Sequence, residues 1–246
     1  MILPIIQNKF YSQEERLIFG AFSDRSTYRC GKLIRVLEPR AISCDLTPEI
    51  DEPEQRVMLV GNSHSDSIKT SFVKASEANQ SKLFFMVSNT PLMEGDISAK
   101  GVVDEAISKG VNKIVLHFKE FSIPNETISE VIAQSKLAGI KVYFIEPVPV
   151  WKESVPVSMY NDIHQKDTIA EKQTKTDYIS RNASQVDFVR AIIDDNFTSL
   201  PVVDFFCNPD CQYASDNGKP FYFDDDHLTI TGSEQIKDVF DKILLD

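Results

Sequence analysis

The sequence predicts an α/β protein built on a doubly wound, parallel sheet. Five short apolar runs rich in β-branched residues have the length of buried parallel strands, and helix-like patterns fall between them. At 246 residues and 42% hydrophobic content the chain can bury a substantial core. Chains of roughly 200–250 residues in this class commonly remain one domain.

The strand candidates are Val57 to Val60, Leu83 to Val87, Lys113 to Leu116, Lys141 to Ile145 and Pro201 to Phe206. The helix candidates are Ser65 to Ala78, Ala99 to Lys109, Glu126 to Leu137, Ser184 to Asp194 and Ser233 to Leu245. In the last, Ile236, Val239, Phe240, Ile243 and Leu244 recur at the three- and four-residue spacing of one helix face, which can pack on the sheet. Residues 1–55 carry no βα rhythm and read as an N-terminal extension packed on the core, leaving 56–246 as the main domain. The segment 147–181, rich in Pro, Lys, Thr and Asp, reads as an insertion over the sheet between the fourth and fifth strands. Insertions at such positions commonly shape substrate sites. Within or near it, Trp151, Tyr143, Tyr160 and Tyr178 offer rings for stacking on sugars or, equally, for packing.

The balance of 37 acidic against 26 basic residues, a formal charge of -11, repels phosphate backbones, so no nucleic-acid partner is expected. No stretch approaches the roughly 18–20 consecutive apolar residues of a membrane helix, and Met1 to Ile6 is too short for a signal-peptide core.

The four cysteines fall into two local pairs, Cys30 with Cys44 and Cys207 with Cys211, in segments rich in turn residues. That pattern suggests two disulfides and an oxidising compartment. Four reduced thiols in a cytosolic protein, or a zinc site, are the other readings, although neither pair has the C-x-x-C form. A bridge from Cys30 to Cys44 would contribute on the order of 3 kcal/mol in the chain-entropy picture. An extracytoplasmic protein without a visible signal implies upstream sequence, so the chain reads as a domain of something longer.

Ser63, in Val57-Met58-Leu59-Val60-Gly61-Asn62-Ser63, falls just past the carboxyl end of the first strand, where open α/β sheets place their sites. Backbone N–H groups at the following helix start can stabilise an oxyanion, and Gly61 lets the turn tighten. Taken alone, Ser63 is as readily a helix cap as a nucleophile. Asp224 and His227 alter that balance. They stand three apart in Asp224-Asp225-Asp226-His227-Leu228, a spacing that lets a carboxylate reach Nδ1 while Nε2 faces a serine. Asp225 and Asp226 individually read as a solvated acidic turn, and a calcium loop would need more oxygen ligands than these three supply.

Gly61-Asn62-Ser63-His64-Ser65 resembles the G-D-S block of the SGNH (GDSL-like) hydrolase superfamily, and Asp224 to His227 resembles its D-x-x-H block. Cys207-x-x-x-Cys211, Gly218-Lys219-Pro220-Phe221-Tyr222 and the leading Cys30 and Cys44 are similar to one subgroup. That subgroup is the SGNH domain attached to the multipass bacterial acyltransferases (acyltransferase-3) that O-acetylate surface polysaccharides. The resemblance covers about residues 30–246. It implies a three-layer α/β/α flavodoxin-like fold with a central parallel five-stranded sheet. It further implies a catalytic triad of Ser63, His227 and Asp224 for serine-dependent O-acetyl transfer to or from a cell-surface carbohydrate. No metal or organic cofactor is needed, the acyl donor would come from a membrane module, and the location would be extracytoplasmic, periplasmic or cell-surface.

Asn62 stands where the family has Asp, and the middle oxyanion blocks are not plain. Asn112, in Gly110-Val111-Asn112, precedes the third strand and so lies at the wrong end of the sheet. Asn89 and His117 stand at the correct end, each as an oxyanion donor or simply a loop polar group, and Gly95 is the candidate second-block glycine by position. His64 reads as packing or capping, and His164 as a surface histidine. A free-standing carbohydrate acetylesterase and a non-catalytic glycan-binding domain are the alternatives.

Overall fold

Strand β2 (Gln55–Gly61) is buried on both faces, and its side chains alternate between two cores. Val57 and Leu59 join one cluster and Met58 and Val60 the other, as the two-residue period of a strand requires. The structure, a computed structural model, describes residues 11–27, 30, 42–87, 98–165 and 172–246. Among these residues six strands form one sheet in the order β1-β3-β2-β4-β5-β6, with β1 (Cys44–Asp45), β3 (Ser81–Val87), β4 (Lys113–His117), β5 (Lys141–Ile145) and β6 (Phe197–Leu200). Strands β2 to β6 run parallel, and β1 adds to β3 antiparallel, so the sheet has one strand more than the five expected.

Helices cover both faces. Helix α1 (Gln13–Gly20) precedes the sheet. Helix α2 (Ser63–Ala78) links β2 to β3, and α3 (Ala99–Ser108) and α4 (Asn125–Leu137) flank β4. Helices α5 (Val155–Ile163) and α6 (Lys175–Ala191) lie between β5 and β6. The chain ends in α7 (Ile230–Ser233), a 3-10 turn at Glu234–Ile236, and α8 (Lys237–Leu245). The terminal apolar stripe is buried as its spacing predicts, with Phe240 stacked on Phe72 of α2 at 4.8 Å between ring centres.

Two expectations need correction. The last strand is Phe197–Leu200, not Pro201 to Phe206. Pro201 supplies no ladder N–H, and the apolar residues beyond it form a 3-10 turn at Val203–Phe205 with Val203 and Phe206 buried. The preceding helix starts at Lys175, not Ser184, because Thr174 and Asp177 form a reciprocal capping box. Much of the expected insertion is therefore helical.

Residues 147–155 of that segment act as a buttress. Glu146, fully buried, accepts two hydrogen bonds from Arg190 and one from Ser199. Tyr178 donates to the Pro147 carbonyl, and Trp151 packs edge-on against Tyr213. Trp151, Tyr143 and Tyr178 are buried in the core, which removes them as sugar-stacking rings. Tyr160 lies near the Phe19 and His164 rings.

Cys30 is bonded to Cys44 and Cys207 to Cys211. The first bridge ends on β1, at the edge of the sheet. The second closes the loop after β6, whose Pro209 carbonyl accepts from Lys175 N at the start of α6. Residues 24–26 are tied to the main fold as well. Asp24 accepts from Thr231, and Ser26 donates to the Ser67 carbonyl.

Candidate active site

The order β3-β2-β4 places a topological switch at β2, since the chain leaves β2 to one side and later returns to β4 on the other. Open α/β sheets form their crevice at such a point, at the carboxyl ends of the strands. There β2 ends at Gly61, paired with Val87 and with His117. Asn62 caps α2 by accepting the His64 N–H at 3.0 Å, and Ser63 is the first helical residue, exposed to solvent. Its own N–H belongs to the first turn, which has no intrahelical partner. Ser65 faces inward and donates to the His117 carbonyl at 2.6 Å, clamping α2 to the end of β4. Asn62 thus acts through its side-chain oxygen, which an uncharged amide supplies as well as a carboxylate. Asn62→Ala is expected to cost about 1 kcal/mol, read as a fall in melting temperature of about 3 °C.

The opposite wall is the turn from Phe223 to His227, closed by the Phe223 N–H donating to the His227 carbonyl. Asp224 Oδ1 accepts the backbone N–H of Asp226 at 3.1 Å and of His227 at 2.8 Å, so this one oxygen builds the turn. Its other oxygen, Oδ2, lies 2.8 Å from His227 Nδ1. The buttress fixes the turn from behind, with Trp151 N donating to the Asp225 carbonyl and Val155 N to that of Asp224. On its free side, His227 Nε2 is 2.7 Å from Ser63 Oγ. A hydroxyl, an imidazole and a carboxylate in series is the arrangement that lets a ring nitrogen take a hydroxyl proton as the oxygen attacks.

Burial works against charge on His227, yet the hydrogen bond to Asp224 and the nearby Asp226 carboxylate outweigh it and raise its pKa to about 9. Asp224 is likewise opposed by burial, and the bonds from His227 hold it below its ordinary value.

Asp226 departs from the sequence reading. It is 6% exposed, not a solvated turn residue. Its Oδ1 lies 2.7 Å from His227 Nδ1, out of line for a hydrogen bond, and its Oδ2 accepts from Lys119. His64 is buried beside it, with Nε2 3.6 Å from Oδ2. Burial lowers the His64 pKa, against the pull of the neighbouring Asp226 carboxylate, and so favours the uncharged ring. Nothing in the local sequence pattern marks Asp226 or Lys119, because their meeting depends on how β4 and the terminal turn pack. His64, Asp226 and His227 bring possible ligand atoms within 4.8 Å of one another, but the Lys119 ammonium already holds the carboxylate a cation would need.

The other candidates are dispersed. His117 closes β4 and is fully buried, its Nδ1 3.2 Å from the Ile145 carbonyl and its pKa pushed down to about 3 by burial. Asn89 and Gly95 lie outside the described residues. Asn112 sits at the other end of the sheet, accepting the Arg56 N–H near the start of β2. His164 is a surface residue paired with Glu15.

A family model described as SGNH domain (fused to AT3 domains) matches residues 29–242. No curated protein matches the chain. Among solved structures, the lipopolysaccharide acetyltransferase periplasmic domain of Salmonella ser. Paratyphi A is similar, with a TM-score of 0.60 and 12% identity over 97% of this chain and 99% of that one. At that identity the likeness is one of fold.

Proposed function

The chain belongs to the family of SGNH domains fused to AT3 domains, and from that premise we propose that it carries out serine-dependent O-acyl transfer to or from a carbohydrate. The observation that supports this is the 2.7 Å approach of His227 Nε2 to Ser63 Oγ, with Asp224 2.8 Å behind the ring. In this reading Ser63 Oγ attacks the acyl carbonyl as its proton passes to His227 Nε2. The tetrahedral oxyanion collapses, the leaving alkoxide takes that proton, and an acyl ester remains on Ser63. A sugar hydroxyl or water then gives its proton to Nε2 and attacks the ester, and collapse returns the proton to Ser63. Asp224 keeps Nδ1 protonated and offsets the charge the ring acquires.

The Ser63 N–H is the first oxyanion donor. His117 is the least suited second donor, since its Nδ1–H is committed to the Ile145 carbonyl and the neutral ring leaves Nε2 an acceptor. Asn89 and Gly95 are the proposed second donors. The acyl group would arrive from a membrane acyltransferase module, as fusion to AT3 domains suggests. The two disulfides, and a similar structure that is a periplasmic domain, support an extracytoplasmic site. Among the described residues no helix is long and apolar enough to cross a membrane.

Fluorophosphonate treatment followed by peptide mass spectrometry is expected to place one adduct on Ser63 and none in His227→Ala. An unlabelled Ser63 in folded protein would remove the nucleophile and leave a glycan-binding domain.

A further inference from the structure

His227 Nδ1 faces two carboxylates at nearly the same distance, Asp224 Oδ2 at 2.8 Å and Asp226 Oδ1 at 2.7 Å. One N–H can point along only one line, and Asp224 lies on it. Asp226 acts through its charge instead, which needs proximity and low solvent exposure rather than alignment. Its side chain is 8% exposed and is fixed on its other oxygen by Lys119.

We infer that Asp226 is a second carboxylate for His227, positioned by Lys119, favouring the charged imidazolium while Asp224 alone holds the ring in line. The inference rests on the reading of His227 as the base for Ser63. Asp226 would be a positioning residue, since it touches no reacting atom.

The surroundings contribute few competing charges. Helix α2 presents His64, buried and with neither ring nitrogen hydrogen-bonded, 5.0 Å from the His227 ring centre. The turn after β4 presents Lys119 and Glu120, and β4 presents His117, a neutral ring. The His227 turn itself carries Asp224 and Asp225, and Arg25 lies over Phe223, which stacks on His227. Among the described residues, Lys119 is the one cation placed against Asp226 apart from the His227 ring itself. Removing Asp226 and removing Lys119 should therefore move His227 in opposite directions.

The test reads His227 by imidazole NMR titration, together with the pH profile of kcat/KM for 4-nitrophenyl acetate, in the native chain, Asp226→Asn and Lys119→Met. A general base must be neutral, so activity rises with pH through the His227 pKa, about 9 in the native chain. In Asp226→Asn the midpoint is expected to fall by about one unit or more, because one anion that favoured the charged ring is gone. In Lys119→Met it is expected to rise, because that anion loses its counter-ion.

An unchanged His227 titration in both variants, or shifts of the same sign, would overturn the inference. A loosened fold would not move the two in opposite directions. Should Asp226→Asn fail to fold, Lys119→Met still decides, since its side chain is 41% exposed and an unmoved midpoint would be fatal. The titration needs no turnover. An inactive native chain with opposite shifts would therefore sink the serine mechanism while sustaining the electrostatic role of Asp226.

Discussion

Ser63→Ala is expected to lower kcat/KM for acetyl release from 4-nitrophenyl acetate by about 10⁴-fold or more, leaving only background hydrolysis. The magnitude follows from the chemistry. Without Oγ no acyl ester can form, and water held near His227 lacks the fixed 2.7 Å approach that Ser63 has. The fold should be indifferent to the change, because Ser63 is exposed at the first position of α2 and the helix is capped by Asn62. Its melting temperature should lie within about 2 °C of the native value, as for a surface substitution. His227→Ala should be nearly as damaging. The double variant should be no worse than Ser63→Ala, because the two groups act as a unit. A Ser63→Ala protein that keeps more than a tenth of the native rate would rule out Ser63 as the nucleophile.

The residues in that prediction were legible because each belongs to a short motif whose spacing is set locally. Gly61 to Ser63 marks the end of a strand and the start of a helix. Asp224 and His227 stand at the separation that a turn built on one carboxylate oxygen demands. The inner strands were equally legible, since a parallel strand covered on both faces is a continuous apolar run. Legibility failed where the determining contact was distant or the signal polar. Strand β1 is two residues long and exists only by pairing with Phe84 and Phe85. Helix α6 buries Asn182 and Gln185 among its inward residues, which blurs its apolar stripe. Its start is announced by the Thr174–Asp177 capping box and not by hydrophobicity. Helix α1 is announced the same way, by Ser12 and Glu15. Asp226 looked like a solvated acid because burial of a carboxylate depends on a cation that arrives from another element, here Lys119 from beyond β4.

Gly61→Ala should damage fold and chemistry together. A Cβ at this position would lie 1.9 Å from the His117 carbonyl oxygen and 2.1 Å from Ser65 Oγ. Neither atom can easily retreat. The carbonyl belongs to β4, and the hydroxyl is the one that clamps α2 to it. Admitting the methyl means parting the ends of β2 and β4 or tilting the entry of α2. Overpacking of this kind costs about 1–3 kcal/mol, and loss of the buried Ser65 hydrogen bond adds about 1–3 more. A combined loss near 3 kcal/mol corresponds to a fall in melting temperature of roughly 6–12 °C. Ser63 follows two residues later, so its Oγ should leave the line to His227. Misplacement by about 1 Å costs on the order of 10²-fold in rate. Gly20→Ala is the matching control, since a Cβ there meets nothing within 4 Å and alanine favours the end of α1. If Gly61→Ala melted and turned over like the native chain, the close approach of β2 to β4 would not be what sets the position of Ser63. If it lost rate at a temperature where it is fully folded, the glycine would be acting on the site through the placement of α2, separately from its contribution to stability.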